Sequence, residues 1–507
     1  MPFLLHQLIS SADNNQPLSP AILAPGKEAM SYQELSKCLR VIALKLTRLG
    51  IRPGDRLATV LPNGPEMATA FLAISMVCTC APLNPVYTFE EFKASFEDLC
   101  VKSLVISFGS EHPARKAADS LGIPVINLEA DEKIAGNFCL DCDISEDISI
   151  SEPILAGEDD LALVLQTSGT TSRPKIVPLT HRNIYFSMLN IKESYALKPT
   201  DRCLNMMPLF HVHGLIGSVA ASLASGASVI CTPGFLPDLV LDWLVELEPT
   251  WYTAVPTIHQ AVLEQVRHHP EISRAMKLRF IRSCSSPLAP QVAQDLEKAF
   301  RVPVLEAYGM TEATHQIASN PLPPHPHKFG SVGCATGTTR VTILDEQGEV
   351  LPPGKVGEIC ISGNNVMNGY ENNPVANVAN FTNGWLRTGD RGTLDEDSYL
   401  FIQGRFKEFI NRAGEKISPR EIDEALLQHP AVKQAVAFSI PHPSLGEDVA
   451  AAVVLKPGEM VTMWELRQFT ANKLADFKVP RLIVFVSDIP KGPTGKIQRI
   501  GLGEKLK

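Results

Sequence analysis

Apolar positions along the chain follow two alternating periods. Over Tyr32–Leu49 they recur at helical spacing, the run stops at Gly50, and Arg52-Pro-Gly-Asp55 supplies a turn. Arg56–Leu61 then reads as a buried strand and Glu66–Val77 as a helix. Ser103–Phe108 and Pro124–Leu128 predict short strands on either side of a helix over Pro113–Leu121, and Leu161–Gln166, Phe280–Ser283 and Pro303–Glu306 predict three more strands. Strands separated by helices of this length predict parallel sheets wound by helices. Two apolar stretches approach membrane length, Met67–Leu83 and Leu215–Cys231. Small and polar residues interrupt both, so they are expected to be buried helix and strand.

The pattern changes after Arg340. Arg340–Leu344 and Glu358–Ser362 predict strands divided by the turn signals Asp345-Glu-Gln-Gly348 and Leu351-Pro-Pro-Gly354, a small antiparallel or barrel-like unit. Leu400–Ile402 leads to Gly404–Lys407, where the pattern restarts. A helix over Pro419–His429, strands over Val432–Ile440 and Asp448–Leu455, a helix over Thr462–Leu474 and a strand over Arg481–Val486 form a compact α+β set. The expected fold class is α/β, with a large N-terminal core of helix-wound sheets plus the small β-barrel-like unit over 1–403, and an α+β C-terminal domain over 404–507.

Composition narrows the classes. The chain has 507 residues, 45% hydrophobic and 20% charged, enough to bury several cores. A net charge of −9 argues against a general nucleic-acid binder. The eleven cysteines are scattered, and Cys139-Leu-Asp-Cys142 has no second pair at zinc spacing, so reduced thiols are expected. Met1-Pro-Phe-Leu-Leu-His lacks a basic secretory start, and Glu504-Lys-Leu-Lys507 is not the peroxisomal Ser-Lys-Leu address. A cytoplasmic protein without a membrane span, monomeric or homodimeric, is expected.

One segment carries candidate chemistry on its own. The apolar strand Leu161–Gln166 runs into Thr167, Ser168, Gly169, Thr170, Thr171 and Ser172, closed by Arg173-Pro174-Lys175. Hydroxyls and backbone N–H groups donate to phosphate oxygens, the lysine supplies charge, and glycine lets the backbone approach. A Gly-x4-Gly-Lys-Ser/Thr loop is absent, and Ile176-Val-Pro-Leu reads as a strand, so the kinase-type phosphate loop does not apply.

This nonapeptide resembles the phosphate-binding signature of the acyl-adenylate-forming superfamily: acyl-CoA synthetases, peptide-synthetase adenylation domains and firefly luciferase. Further segments resemble that family's motifs in the family's order: Met207-Pro-Leu-Phe-His-Val-His-Gly214, Glu306-Ala-Tyr-Gly-Met-Thr-Glu312, Trp385-Leu-Arg-Thr-Gly-Asp390, Gly404–Pro419 and Pro490-Lys-Gly-Pro-Thr-Gly-Lys496. The resemblance implies ATP, Mg²⁺ and coenzyme A as co-substrates and cofactor, with a small carboxylic acid as the substrate. It assigns Tyr308 to the purine, with Glu306, Ala307 and Gly309 beside it. Thr311 falls to the α-phosphate and Glu312 to Mg²⁺, a hard cation that takes oxygen ligands. It also assigns Asp390 to the ribose hydroxyls, Arg405 to the ribose or phosphate side, and Ser285 and Ser286 to the adenine and acyl pocket. Lys496 would lie between the acid's carboxylate and the α-phosphate, where a cation lowers the repulsion of two anions. Lys407 marks the hinge of a mobile C-terminal domain, and Gly414, Glu415 and Lys416 the loop that replaces Lys496 when a thiol enters.

Within the superfamily, four segments of the chain resemble the oxalate–CoA ligases. Met207–Leu215, Trp251–Gln260, Met310–His315 with Ser319–Pro323, and Ile410–Pro419 carry this. A two-carbon dicarboxylate needs donors or a cation for its second carboxylate, and His211, His213, His315, Ser285 and Ser286 offer them, whereas a fatty or aryl acid would prefer an apolar tunnel. His259 is expected to belong to helix packing. Medium-chain or aryl acid–CoA ligase, a stand-alone enzyme loading a carrier protein, and an inactive nucleotide-binding protein stay open.

Overall fold

A computed structural model of the chain describes residues 7, 14–142, 145–167, 174–269, 271–272, 275–490, 497 and 499–506. Two sheets built mainly of parallel strands make the bulk of it. The first has seven strands in the order Phe138–Asp141, Val125–Ala130, Ser103–Ser107, Arg56–Val60, Thr79–Pro82, Leu161–Thr167 and Lys175–Thr180. Its inner pairs are parallel and its two edge strands antiparallel. The second has nine strands, with Phe280–Ser283 between Trp251–Ala254 and Val304–Met310, all parallel, and the return strand His315–Ser319 antiparallel beside them.

Local chemistry explains the helices that wind them. Ser31 accepts the Glu34 N–H at 3.3 Å while the Glu34 carboxylate accepts the Ser31 N–H at 2.8 Å, so a capping box starts Tyr32–Arg48. Pro65–Val77 is buried all round except at Glu66 and touches a strand of each large sheet, so it is the shared interior of both. Met67–Leu83 and Leu215–Cys231 are thus buried helix and strand as expected. Leu215–Ala220, however, is a fully buried π-helix, a widened turn that no periodicity predicted. Among the described residues no helix is long and apolar enough to cross a membrane.

The small unit after Arg340 is a five-stranded antiparallel sheet in which Arg340–Leu344, Gly357–Ser362 and Trp385–Leu394 pair in turn. Leu400–Arg405 joins it and runs three residues past the expected end, because Asp390 pairs with Arg405 and Arg391 with Gly404. The last sheet holds Glu415–Ile417, Ile410–Arg412, Gly446–Leu455, Val432–His442 and Leu482–Phe485. Along Val432–His442, Ala435 and Ala437 enter one apolar cluster while Val436 and Phe438 enter another on the opposite face. This sheet therefore has cores of its own.

Candidate active site

The residues expected on the nucleotide side gather around the C-terminal end of the strand Val304–Met310 in the nine-stranded sheet, and strand ends are where α/β folds bind ligands. The strand Val304–Met310 continues four residues beyond the expected Glu306, so Tyr308 and Gly309 lie in the strand itself. A short 3-10 turn over Thr311–Ala313 then reverses the chain, with Thr314 and His315 at positive φ. The return strand passes so close that a β-carbon on Gly309 would meet the His315 carbonyl oxygen at 1.8 Å. The Tyr308 hydroxyl donates to Asp390 Oδ2, and Arg405 Nε donates to Oδ1 at 3.0 Å. Burial first, and then the Asp390 carboxylate, push the Tyr308 phenol well above its ordinary pKa, which keeps it a donor. Asp390 lies within the strand Trp385–Leu394, where its backbone N–H donates to Thr388 Oγ1 at 3.1 Å.

Glu306 is buried at the same strand, and its Oε1 accepts the Leu288 N–H at 3.1 Å. Burial pushes its carboxyl up to about 7 against the opposing pull of Arg420 from the last sheet's first helix, Pro419–Leu427. Ala307 is buried beside it.

A second group forms where the two large sheets face each other. Glu312 Oε1 accepts the Tyr370 hydroxyl at 2.8 Å, and Lys175 Nζ stands 4.3 Å from the centre of the Tyr370 ring. Burial lowers the Lys175 pKa, the Glu312 carboxylate opposes this, and Lys407 adds to the lowering, so these charges share one region. Thr167 opens the hairpin that carries Lys175, with Oγ1 donating to the Lys175 carbonyl at 3.4 Å. Ser168, Gly169, Thr170 and Thr171, like Lys496, lie outside the described residues.

The third group is polar and almost wholly buried. His213 Nδ1 is 3.0 Å from Ser285 Oγ, its Nε2 is 2.6 Å from Thr253 Oγ1, and its ring stacks on His315 at 5.1 Å. Ser285 holds φ +75 to make this contact, and Ser286 follows half-buried. His211 precedes them with its ring packed on Phe210 at 4.5 Å. His259 is buried against Tyr252 at 3.2 Å, with its pKa lowered by burial to about 4, a packing residue as expected.

The AMP-binding enzyme profile matches residues 10–371, and the AMP-binding enzyme C-terminal domain matches 421–496. The chain belongs to the AMP-binding enzyme family. It is similar to the oxalate–CoA ligase of Arabidopsis thaliana, 43% identical across 98% of this chain and 97% of that protein. The oxalate–CoA ligase of Saccharomyces cerevisiae is 44% identical, across 89% and 86%. ATP-bound MatB from Rhodopseudomonas palustris superposes with a TM-score of 0.89 at 29% identity, covering 100% and 99%.

In this member of the family, Glu312 is suited to a magnesium ion. Among the described residues no three His, Cys, Asp or Glu side chains gather into a metal cage. A single carboxylate near the Lys175 ammonium fits a cation that takes its remaining oxygens from phosphates and water. Lys407 lies in a 3-10 turn over Phe406–Glu408, between the small antiparallel sheet and the last one. Gly414 turns an exposed hairpin with Ala413, both at positive φ, and Glu415 and Lys416 open its return strand.

Two participants were missed by sequence reasoning. Tyr370 lies 58 residues from Glu312 and in no motif. Arg282 is the second, fully buried under both histidines, with Nη2 at 2.7 Å from His315 Nε2. The only sequence signal for it was a charged residue inside the apolar strand Phe280–Ser283.

Proposed function

We propose that the chain joins oxalate to coenzyme A. Its class is that of an AMP-forming acid–CoA ligase, which uses ATP, Mg²⁺ and coenzyme A. A carboxylate oxygen attacks the α-phosphorus of ATP and pyrophosphate leaves; the thiol sulfur then attacks the acyl carbon of the mixed anhydride and AMP leaves. In this reading Thr167, Ser168, Gly169, Thr170, Thr171 and Lys175 hold the phosphates. Tyr308, with Glu306, Ala307 and Gly309, lines the purine, and Asp390 with Arg405 takes the ribose. Thr311 bonds the α-phosphate and Glu312 holds Mg²⁺, whose charge offsets that of the phosphates when bound. His211, His213, Ser285, Ser286 and His315 face the acid.

The observation that carries oxalate is the His213–Ser285 bond within a buried cluster of His315, Thr253 and Arg282: donors and a fixed cation, where a fatty or aryl acid would need an apolar wall. The relatives named for oxalate point the same way. We place the domain boundary at residues 404–407, with Lys407 as hinge. Lys496 acts in adenylation, and the Gly414–Lys416 loop acts in thiol transfer.

Acid-stimulated exchange of labelled pyrophosphate into ATP, across short dicarboxylates, fatty acids and cinnamates, tests this. Oxalate is expected to support the fastest exchange, with oxalyl-CoA formed when coenzyme A is added. Exchange with a fatty acid and none with oxalate removes the substrate assignment. Lys496→Ala is expected to abolish exchange and to spare thioester formation from supplied acyl-AMP; equal loss in both steps removes that role.

A further inference from the structure

Arg282 lies near the C-terminal end of its strand, beside Thr253 on the neighbouring one. Its Nε donates to the Tyr195 hydroxyl at 2.9 Å, its Nη1 to Thr253 Oγ1 at 3.1 Å, and its Nη2 to His315 Nε2 at 2.7 Å and Gln316 Oε1 at 3.0 Å. All four partners are neutral acceptors, and among the described residues no carboxylate pairs with this guanidinium. Buried charges are ordinarily matched by a counter-charge, because an unmatched one is expensive in a low-dielectric interior.

The donor pattern has consequences for the histidines. A guanidinium offers N–H donors and no lone pair, so His315 Nε2 accepts, and its ring proton sits on Nδ1. Thr253 Oγ1 accepts a hydrogen bond from Arg282 Nη1, and the arrangement that satisfies each group has its own hydroxyl donate to His213 Nε2 at 2.6 Å. His213 then donates from Nδ1 to Ser285 Oγ at 3.0 Å, leaving the Ser285 hydroxyl proton to a further acceptor. The positive charge beneath the acid side is thus Arg282, with the imidazoles as its neutral relays. The π-helix over Leu215–Ala220 closes the other side: a β-carbon on Gly217 would stand 2.4 Å from His315 Nε2 and 3.3 Å from Arg282 Nη1.

We propose that Arg282 is a positioning residue for substrate charge: it fixes the donor directions of His315, His213 and Ser285 and supplies the buried cation that selects a short acid carrying a second carboxylate. This rests on the reading of these residues as the acid side. It extends that reading by naming the group that makes the site prefer a dianion, and by assigning Gly217 the space the His315 ring occupies.

The test compares oxalate with glycolate, which keeps the two-carbon chain and replaces the second carboxylate by a hydroxymethyl group. Pyrophosphate–ATP exchange gives kcat/KM for each acid and KM for ATP in the wild type, R282M, R282K and G217A, with AMP binding and thermal melting as folding controls. In R282M and G217A the oxalate-over-glycolate ratio is expected to fall about tenfold or more, while KM for ATP stays within about twofold. R282K, which keeps the charge and loses the planar fork, is expected to restore part of the ratio. Should R282M fail to fold, G217A decides, since it adds one methyl group and leaves every charge in place. Variants that bind AMP normally and keep the wild-type ratio overturn the role of Arg282 and leave the oxalate assignment standing. A wild type that prefers glycolate overturns both.

Discussion

Tyr370 does two jobs with one side chain. Its hydroxyl donates to Glu312 Oε1 at 2.8 Å, and its ring lies 4.3 Å beneath Lys175 Nζ. The first contact aims the carboxylate assigned to magnesium; the second steadies the lysine assigned to phosphate, because a cation is drawn to an aromatic face. Tyr370→Phe separates them, keeping the ring and removing the aim. Loss of one hydrogen bond to a charged acceptor is worth about 1.5–3 kcal/mol, so KM for MgATP is expected to rise about tenfold while AMP, which lacks the outer phosphates, binds as before. Steady-state kinetics with titrated Mg²⁺ beside AMP calorimetry checks this. An unchanged KM for MgATP would show that Glu312 needs no such support.

The hairpin that turns at Thr311–Ala313 shows which features of elements were readable in the chain and which were not. Helices and strands with a clear period, such as Tyr32–Arg48 and Ser103–Ser107, sit within a residue or so of where the pattern predicts them, because their burial repeats locally. The strand containing Tyr308 runs to Met310 only because Ala307 pairs with Ser319 and Met310 with His315, a register that no local period encodes. Asp390 and Arg405 could be matched to motifs one by one, and antiparallel pairing then sets them opposite each other. Arg282 escaped because its acceptors, Tyr195, Thr253, His315 and Gln316, lie 29 to 87 residues away. Gly309 shows how tight the hairpin is: its absent β-carbon would meet backbone atoms of His315 at 1.8 and 2.6 Å, which cannot rotate aside. Gly309→Ala is therefore expected to prise the two strands apart, at about 3 kcal/mol or more. Denaturant unfolding and AMP affinity should fall together, since Tyr308 sits on the displaced strand. A variant as stable as the wild type would mean that the strands do not approach this closely.

At the scale of the whole molecule, polar contacts join the last sheet's unit to the rest. Lys433 pairs with Glu264 at 2.7 Å and Arg420 Nη1 donates to the Ile402 carbonyl at 2.7 Å, while within the unit Arg499 links Glu408, next to Lys407, to Asp423. Arg420 also faces the buried Glu306, whose carboxyl burial raises to about 7. A carboxyl with a raised folded pKa binds its proton more tightly in the folded chain than in the unfolded one. Its contribution to stability is therefore complete below the ordinary value of 4.5, declines as pH rises toward about 7, and is level above that. Glu306→Gln keeps an oxygen for the Leu288 N–H and cannot ionise. Relative to the wild type it is expected to gain stability steadily between pH 5 and pH 7 and to hold that gain at pH 8, the other titrating groups cancelling in the difference. Removing the opposing cation with Arg420→Met should carry the wild-type decline to higher pH, because Glu306 then loses the charge that, among the described residues, lowers it. Denaturant unfolding of the wild type and both variants across this range measures the differences. A constant offset between Glu306→Gln and the wild type would mean that Glu306 titrates alike in the folded and unfolded chains, and that the C-terminal unit exerts no electrostatic hold on the strand carrying Tyr308.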